Sequence, residues 1–212
     1  MGTIKKGILG GFSGKVGTVV GASWKGISYM RSLPQKVRNP RTEPQRSQRS
    51  KFALSLNLLQ PMTALLRTGW KLYAHRQSPF NAAMSYTINN AIIGSYPDYE
   101  IDAGKLLVSR GALTPAANGV AAVESGNLVF YWNDNSGVNF SKATDKALIA
   151  VLNIAKGEAI TNNAGAERAT GLQTVPLPAE WSGDSVETYL GFISEDGREV
   201  ANSVYLGSIA IA

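Results

Sequence analysis

Few side chains in this 212-residue chain combine the type and spacing that chemistry requires. There is no cysteine, which removes thiol nucleophiles, disulfides and sulfur-ligated zinc. His75 is the single histidine, close to Tyr73 and Arg76, and a cation near a helix C-terminus accounts for it without a catalytic role. No Gly-x-Ser-x-Gly elbow supplies an activated serine to pair with it. Asp98, Glu100 and Asp102 alternate, so an extended segment would carry three carboxylates on one face. They lack the ligand spacing of a calcium loop and read as a solvated strand edge. Gly7, Gly10, Gly11, Gly14, Gly17 and Gly21 have the density of a phosphate-binding loop. However, Gly14-Lys15 is followed by Val16 instead of Ser or Thr, with no strand–loop–helix pattern around it. The sequence therefore predicts no enzyme, no cofactor and no metal site.

What does stand out is charge. Residues 1–76 carry 14 Lys/Arg against one acid, Glu43, and residues 77–212 carry 7 Lys/Arg against 14 Asp/Glu. The formal net charge of +6 conceals a strongly basic segment joined to an acidic one. In the basic part, Lys15, Lys25, Arg31, Lys36, Arg38, Arg41, Arg46 and Arg49 are interleaved with the apolar Trp24, Tyr29 and Met30. Two partners fit such a segment. One is the acidic part of another copy, or another subunit of the same particle. The alternative is nucleic acid, with cations on phosphates and aromatic rings stacked on exposed bases. No helix-turn-helix, RNA-recognition or zinc-finger pattern supports the alternative further.

The elements that must position these residues fall into three stretches. Residues 1–41 read as a glycine-rich basic arm with a β-hairpin, strands over 15–20 and 23–31 and a turn at Gly21-Ala22. An isolated hairpin is marginal in water, so the arm needs something to pack on. Residues 42–96 read as a helical region. Thr42 and Gln45 fit a capping box, Pro61 interrupts the first helix, and Ser78-Pro79 opens a third that Gly94 is expected to stop. Arg41, Arg46 and Arg49 at the first helix start oppose its dipole, which favours an acidic or phosphate partner nearby. Residues 97–212 read as short strands over 105–110, 120–124, 127–133, 147–154, 168–177, 186–194 and 200–211, separated by turn residues. Seven strands at that spacing predict an immunoglobulin- or fibronectin-like β-sandwich, so the expected class is α+β. Mixed parity in the last strand pair points to a bulge or to burial on two sides. No apolar run approaches the roughly 18 residues of a membrane span, and Gly7 to Phe12 is too short and too glycine-rich for a signal peptide. The chain is therefore expected in the cytoplasm when made, or incorporated in a virion or phage-like particle, with no membrane partner.

Two segments carry a resemblance. Asn39-Pro-Arg-Thr42 followed by Gln45, Arg46 and Phe52 resembles a segment of phage and prophage structural proteins. Gly14-Lys-Val-Gly-Thr-Val-Val-Gly21, continuing to Trp24-Lys-Gly-Ile27, is similar to the opening of an uncharacterised bacterial and phage-associated family of about this length. In the phage segments a second Trp follows the helical pair, whereas Tyr73 or Phe80 stands near that place here. The resemblance covers residues 1–76, supplies no functional residues and implies a structural role. The expected function is a non-enzymatic structural subunit that forms homo-oligomers. Contacts are expected through Trp24, Tyr29, Met30, Arg31, Lys36, Arg38, Arg41, Arg46 and Arg49. A free-standing carbohydrate-binding or adhesion module is a third class, with the surroundings of Trp132 and Trp181 as the first places for a ligand.

Overall fold

The computed structural model describes residues 2–4, 7, 10–24, 26–34 and 41–211 of a mixed α+β chain with four antiparallel sheets. Contacts divide it into two units, residues 1–42 and 43–212. In the first unit, β1 (Thr3–Ile4), β2 (Phe12–Val16), β3 (Val19–Trp24) and β4 (Ile27–Ser32) form one sheet in chain order. This is a four-stranded meander, not the single hairpin that the sequence suggests, and its turns fall elsewhere. Gly17 and Gly26 supply the positive φ angles of +58° and +86° that tight turns need. Gly21-Ala22 lies inside β3. A Cβ on Gly21 would sit 2.2 Å from the carbonyl oxygen of Phe12, so glycine is required there for close approach.

The second unit begins with α1 (Glu43–Leu59), the longest helix. A short 3₁₀ turn over Gln60–Met62 carries Pro61 and leads into α2 (Thr63–Gly69). The third helix, α3 (Pro79–Asn90), starts as its sequence predicts: the Ser78 hydroxyl accepts the Asn81 N–H at 3.2 Å, with Pro79 at the first helical position. Gly94 is not its stop. The helix ends at Asn90, and Gly94 belongs to a small hairpin of β5 (Ile92–Ser95) and β6 (Asp98–Ile101). Its φ of +82° and the Asp98 carbonyl, 2.4 Å from where a Cβ would be, explain the glycine.

Seven further strands make two sheets. β7 (Ala117–Glu124), β8 (Asn127–Asn133) and β11 (Leu172–Pro176) form one of three strands, in order β11-β8-β7. β9 (Lys146–Asn153), β10 (Glu158–Asn162), β12 (Ser185–Ile193) and β13 (Val204–Ala210) form one of four, in order β10-β9-β12-β13. The four-stranded sheet is buried on both faces, which is why β9 reads as the unbroken apolar run Ala147–Leu152. Leu148, Ala150 and Leu152 join one core with Leu59, Met62, Leu65, Leu66 and Trp70 of the helical segment. Ala147, Ile149 and Val151 join a second core with Leu128, Phe130, Trp132 and Val175 of the three-stranded sheet. The mixed parity of the last strand pair has both suggested causes. The register shifts at Thr188/Tyr189, leaving Leu206 unpaired beside Gly207, which has a φ of +106°. Leu206 and Ile209 therefore reach the same core despite odd spacing.

The remaining departures have local reasons. Residues 105–110 are not a strand. The Val108 N–H is satisfied by the Ser203 hydroxyl at 3.0 Å, and the Ser109 hydroxyl donates to the Ala201 carbonyl at 2.9 Å, so side chains replace a ladder. Residues 168–170 form a 3₁₀ turn closed by Gly171 at φ +72°. β10 escapes sequence reasoning because it is a short edge strand with only two apolar residues beyond a turn.

One buried ion pair ties the end of the second core together. Arg168 and Asp145 are both fully buried, with Nε to Oδ2 at 3.1 Å. The guanidinium also donates to the Asn135 side chain at 2.6 Å and to the Thr114 carbonyl at 2.9 Å, and it lies 3.8 Å from the Phe192 ring centroid. Burial pushes Arg168 below its ordinary pKa, and the Asp145 carboxylate opposes that. Removing one partner strands a buried charge. Asp145→Ala is expected to cost about 3–5 kcal/mol in a urea-unfolding titration, whereas Lys105→Ala, which loses the exposed pair to Asp102, should cost under about 1 kcal/mol.

A second prediction concerns alkaline pH. Burial, followed by the Glu187 carboxylate, raises the Tyr205 hydroxyl to about 12, and burial raises Tyr189 further still. The unfolded chain releases these protons at the ordinary value of 10.0, so their contribution is full below that and lost as pH rises through the folded values. Circular dichroism against pH should show stability falling above about pH 10. Tyr205→Phe, which loses the hydrogen bond to Glu187, should lower stability at neutral pH by about 1 kcal/mol and flatten the fall above about pH 10.

Candidate assembly surface

The first unit carries 8 Lys/Arg and no Asp or Glu in residues 1–42. Among its described residues only Gly21 is buried, and none contributes to either hydrophobic core. The outer strand β4 is exposed along its whole length. It ends the sheet, so among the described residues no strand pairs with its outer backbone edge.

The register places the candidate residues on opposite faces. Trp24 stands across from Ile27, Ala22 from Tyr29, and Val20 from both Arg31 and Lys15. Cross-strand partners share a face, so Lys15, Arg31, Tyr29, Ile27 and Trp24 lie together. Rows two residues apart on a strand are about 6.7 Å apart, so this face runs from a cationic end to an aromatic end over roughly 13 Å. Ile27 is 66% exposed and Trp24 63%. Met30, 70% exposed, is on the other face, across from Gly21 and near the Phe12 side. The sequence alternation read straight through the turn at Gly26 puts Trp24 with Met30 and away from Tyr29. The turn reverses that grouping.

The remaining candidates are distributed. Arg41 is exposed in the first unit with a φ of +32°. Arg46 and Arg49 are exposed on α1, one turn apart, in the second unit. Lys36 and Arg38 lie outside the described residues. Further along α1, Ser47 Oγ and the Tyr99 hydroxyl are 2.6 Å apart, and the Lys51 ammonium sits 4.8 Å from the Tyr99 ring centroid. The alternation in sequence already groups Ile27 with Tyr29 and Arg31, but neither Ile27 nor Lys15 is among the expected contacts, and Trp24 is put on the opposite face. Correct turn placement is the signal that would have put Trp24 with them.

His75 and the three alternating carboxylates weighed for chemistry belong to the second unit. His75 is exposed in the turn before α3. Asp98 and Glu100 are exposed on β6, and Asp102 is bound to Lys105 at 3.0 Å, which holds its carboxyl below the usual carboxylate range. Among the described residues no group of three or more His, Asp or Glu could hold a metal ion. The Trp181 indole is 2% exposed and donates to Glu158 at 2.8 Å beside a cleft of about 1010 Å³. Its ring is spent on packing and offers no stacking face to a sugar.

Gly21 makes the sheet testable. A larger side chain there meets the Phe12 carbonyl and ring. Gly21→Val is expected to destabilise the sheet by about 1–3 kcal/mol, read as faster amide exchange over residues 12–32 with exchange in β9 unchanged.

No curated protein and no solved structure matches this chain. A family of unknown function, DUF6266, matches residues 11–207, from the first sheet to the last strand, and the chain belongs to that family.

Proposed function

We propose that this protein is a non-enzymatic structural subunit of a phage or phage-like assembly, working through contacts between copies. The observation that carries the reading is the first unit's sheet. It is wholly cationic in its charged residues and exposes Trp24, Ile27 and Tyr29 on one face, and among the described residues it has no core of its own and no strand paired with the outer edge of β4. Exposed large apolar side chains grouped in this way mark an interaction surface. The acidic stretch after residue 77 supplies charge complementarity on another copy, which favours specificity and association rate. Such a contact joins two different surfaces, so it closes into a ring or propagates as a filament or lattice.

The strand order supports a fibronectin-type β-sandwich for the second unit. Lettering the seven strands by their place in such a module, the three-stranded sheet runs E-B-A and the four-stranded one C′-C-F-G, with a core shared between them. The helices cover the outer face of the larger sheet, an addition to that module. Sandwich modules serve many functions, so the assembly reading rests on the first unit and not on this likeness. Among the described residues no helix is long and apolar enough to cross a membrane.

One observation favours a second reading. Cations at one end of the sheet face and aromatic rings at the other would suit single-stranded nucleic acid, with Lys15 and Arg31 on phosphate and Tyr29 and Trp24 on bases. The full chain carrying Trp24→Ser, Ile27→Ser and Tyr29→Ser separates the two. Sedimentation of nuclease-treated protein is expected to give an oligomer for the wild type and self-association at least tenfold weaker for the variant. Assembly as tight as the wild type's after the three substitutions contradicts the proposal. Assembly that disappears with nuclease alone moves the function to nucleic acid.

A further inference from the structure

Phe140 is 74% exposed, above every other large hydrophobic among the described residues, and Val138 beside it is 51% exposed. Both lie in the loop between β8 and β9, a segment unrelated to the basic sheet. Exposure of this kind in a mobile loop would mean little, but this loop is held from within. The buried Arg168 donates to the Asn135 side-chain oxygen at 2.6 Å, and the Asn135 amide donates to the Pro115 carbonyl at 3.0 Å. The Thr114 hydroxyl donates to the Val138 carbonyl at 3.0 Å, and the buried Ser141 hydroxyl to the Asn135 carbonyl at 2.7 Å. Gly137 N–H closes the loop onto the Ser141 carbonyl at 3.0 Å. A loop so fastened presents its apolar pair with its ordering entropy already lost, the condition under which an exposed aromatic makes a strong anchor.

The same chain has a receptor of matching character. Between α1 and α3 lies a groove of about 430 Å³ with Phe52, Met84 and Ile88 as its apolar lining and Gln48, Asn81 and Asn89 as an amide rim. None of its lining residues is charged, and residues 135–141 of the loop carry no charge either. A cationic or acidic partner surface would leave its charges unpaired at either side. Within one chain both sides stay open, since Phe52 is itself half exposed while Phe140 points to solvent. We infer that the Val138/Phe140 knob of one copy seats in the α1–α3 groove of a second copy. The inference rests on the self-assembly reading and adds to it a contact lying wholly in the second unit. Knob and groove are different surfaces, so this contact too propagates head to tail.

The test uses the full-length chain with the photoreactive p-benzoylphenylalanine in place of Phe140. Irradiation is expected to link copies through residues 48–52 or 81–89, located by mass spectrometry. Phe52→Lys, at an already exposed position, is expected to abolish those links. Phe140→Ser in the otherwise native chain should weaken self-association at least tenfold. If copies associate but the links fall elsewhere, or persist with Phe52→Lys, or Phe140→Ser associates as the wild type does, this contact is wrong while assembly through the basic sheet stands. A chain that remains single at every concentration overturns both.

Discussion

The constraint that organises the second unit is the burial of β9 on both faces. A strand covered on one face can alternate apolar and polar residues, but one covered on both cannot. Lys146-Ala-Leu-Ile-Ala-Val-Leu-Asn153 meets this with six consecutive apolar side chains directed alternately to two cores. The large ones contribute about 1.5–3 kcal/mol each through burial. The helices, the smaller sheet and β12 all depend on this strand, because each buries its own apolar side against it or beside it. At one end of the second core, Arg168 substitutes a hydrogen-bonded ion pair for apolar packing and in doing so fixes the loop that leads into β9.

The first unit is built on the opposite terms. Its four strands satisfy one another's backbone groups, yet the side chains gain little burial, and its one buried described residue is a glycine. A small sheet of this kind bears the cost of ordering without the compensating core that a stable module needs. Burying Trp24, Ile27 and Tyr29 against another surface would supply that compensation. On the proposed assembly reading, the cationic charge would select an acidic surface over a neutral one and discourage the sheets from pairing with each other through like-charged edges.

Much of the second unit was legible in the sequence, and the reasons are physical. The Ser78-Pro79 start of α3 and the strand Asn127–Asn133 are fixed by local rules of capping and of two-residue turns, with Ser125 and Gly126 at positive φ between β7 and β8. Residues 105–110 misled because periodic apolar residues packed in an irregular segment look like a strand when their hydrogen-bond partners, Ser203 and Ala201, lie about 90 residues away. In the first unit Gly21 misled. A glycine serves either a turn or a close approach, and only the position of the Phe12 carbonyl tells which. That one choice decided which of Trp24, Tyr29 and Met30 share a face. The Phe140 loop was overlooked for a different reason: turn residues announce a loop, but the buried Arg168 that makes it rigid comes from a segment about 30 residues later.

The measurement that bears most directly on the account is the mass of the full-length, nuclease-treated chain by light scattering across a concentration series, with nucleic-acid absorbance followed in the same flow. The account expects a defined multiple of the 22.6 kDa chain, free of polynucleotide, that persists on dilution and dissociates at high salt. A mass of 22.6 kDa at every concentration would contradict it.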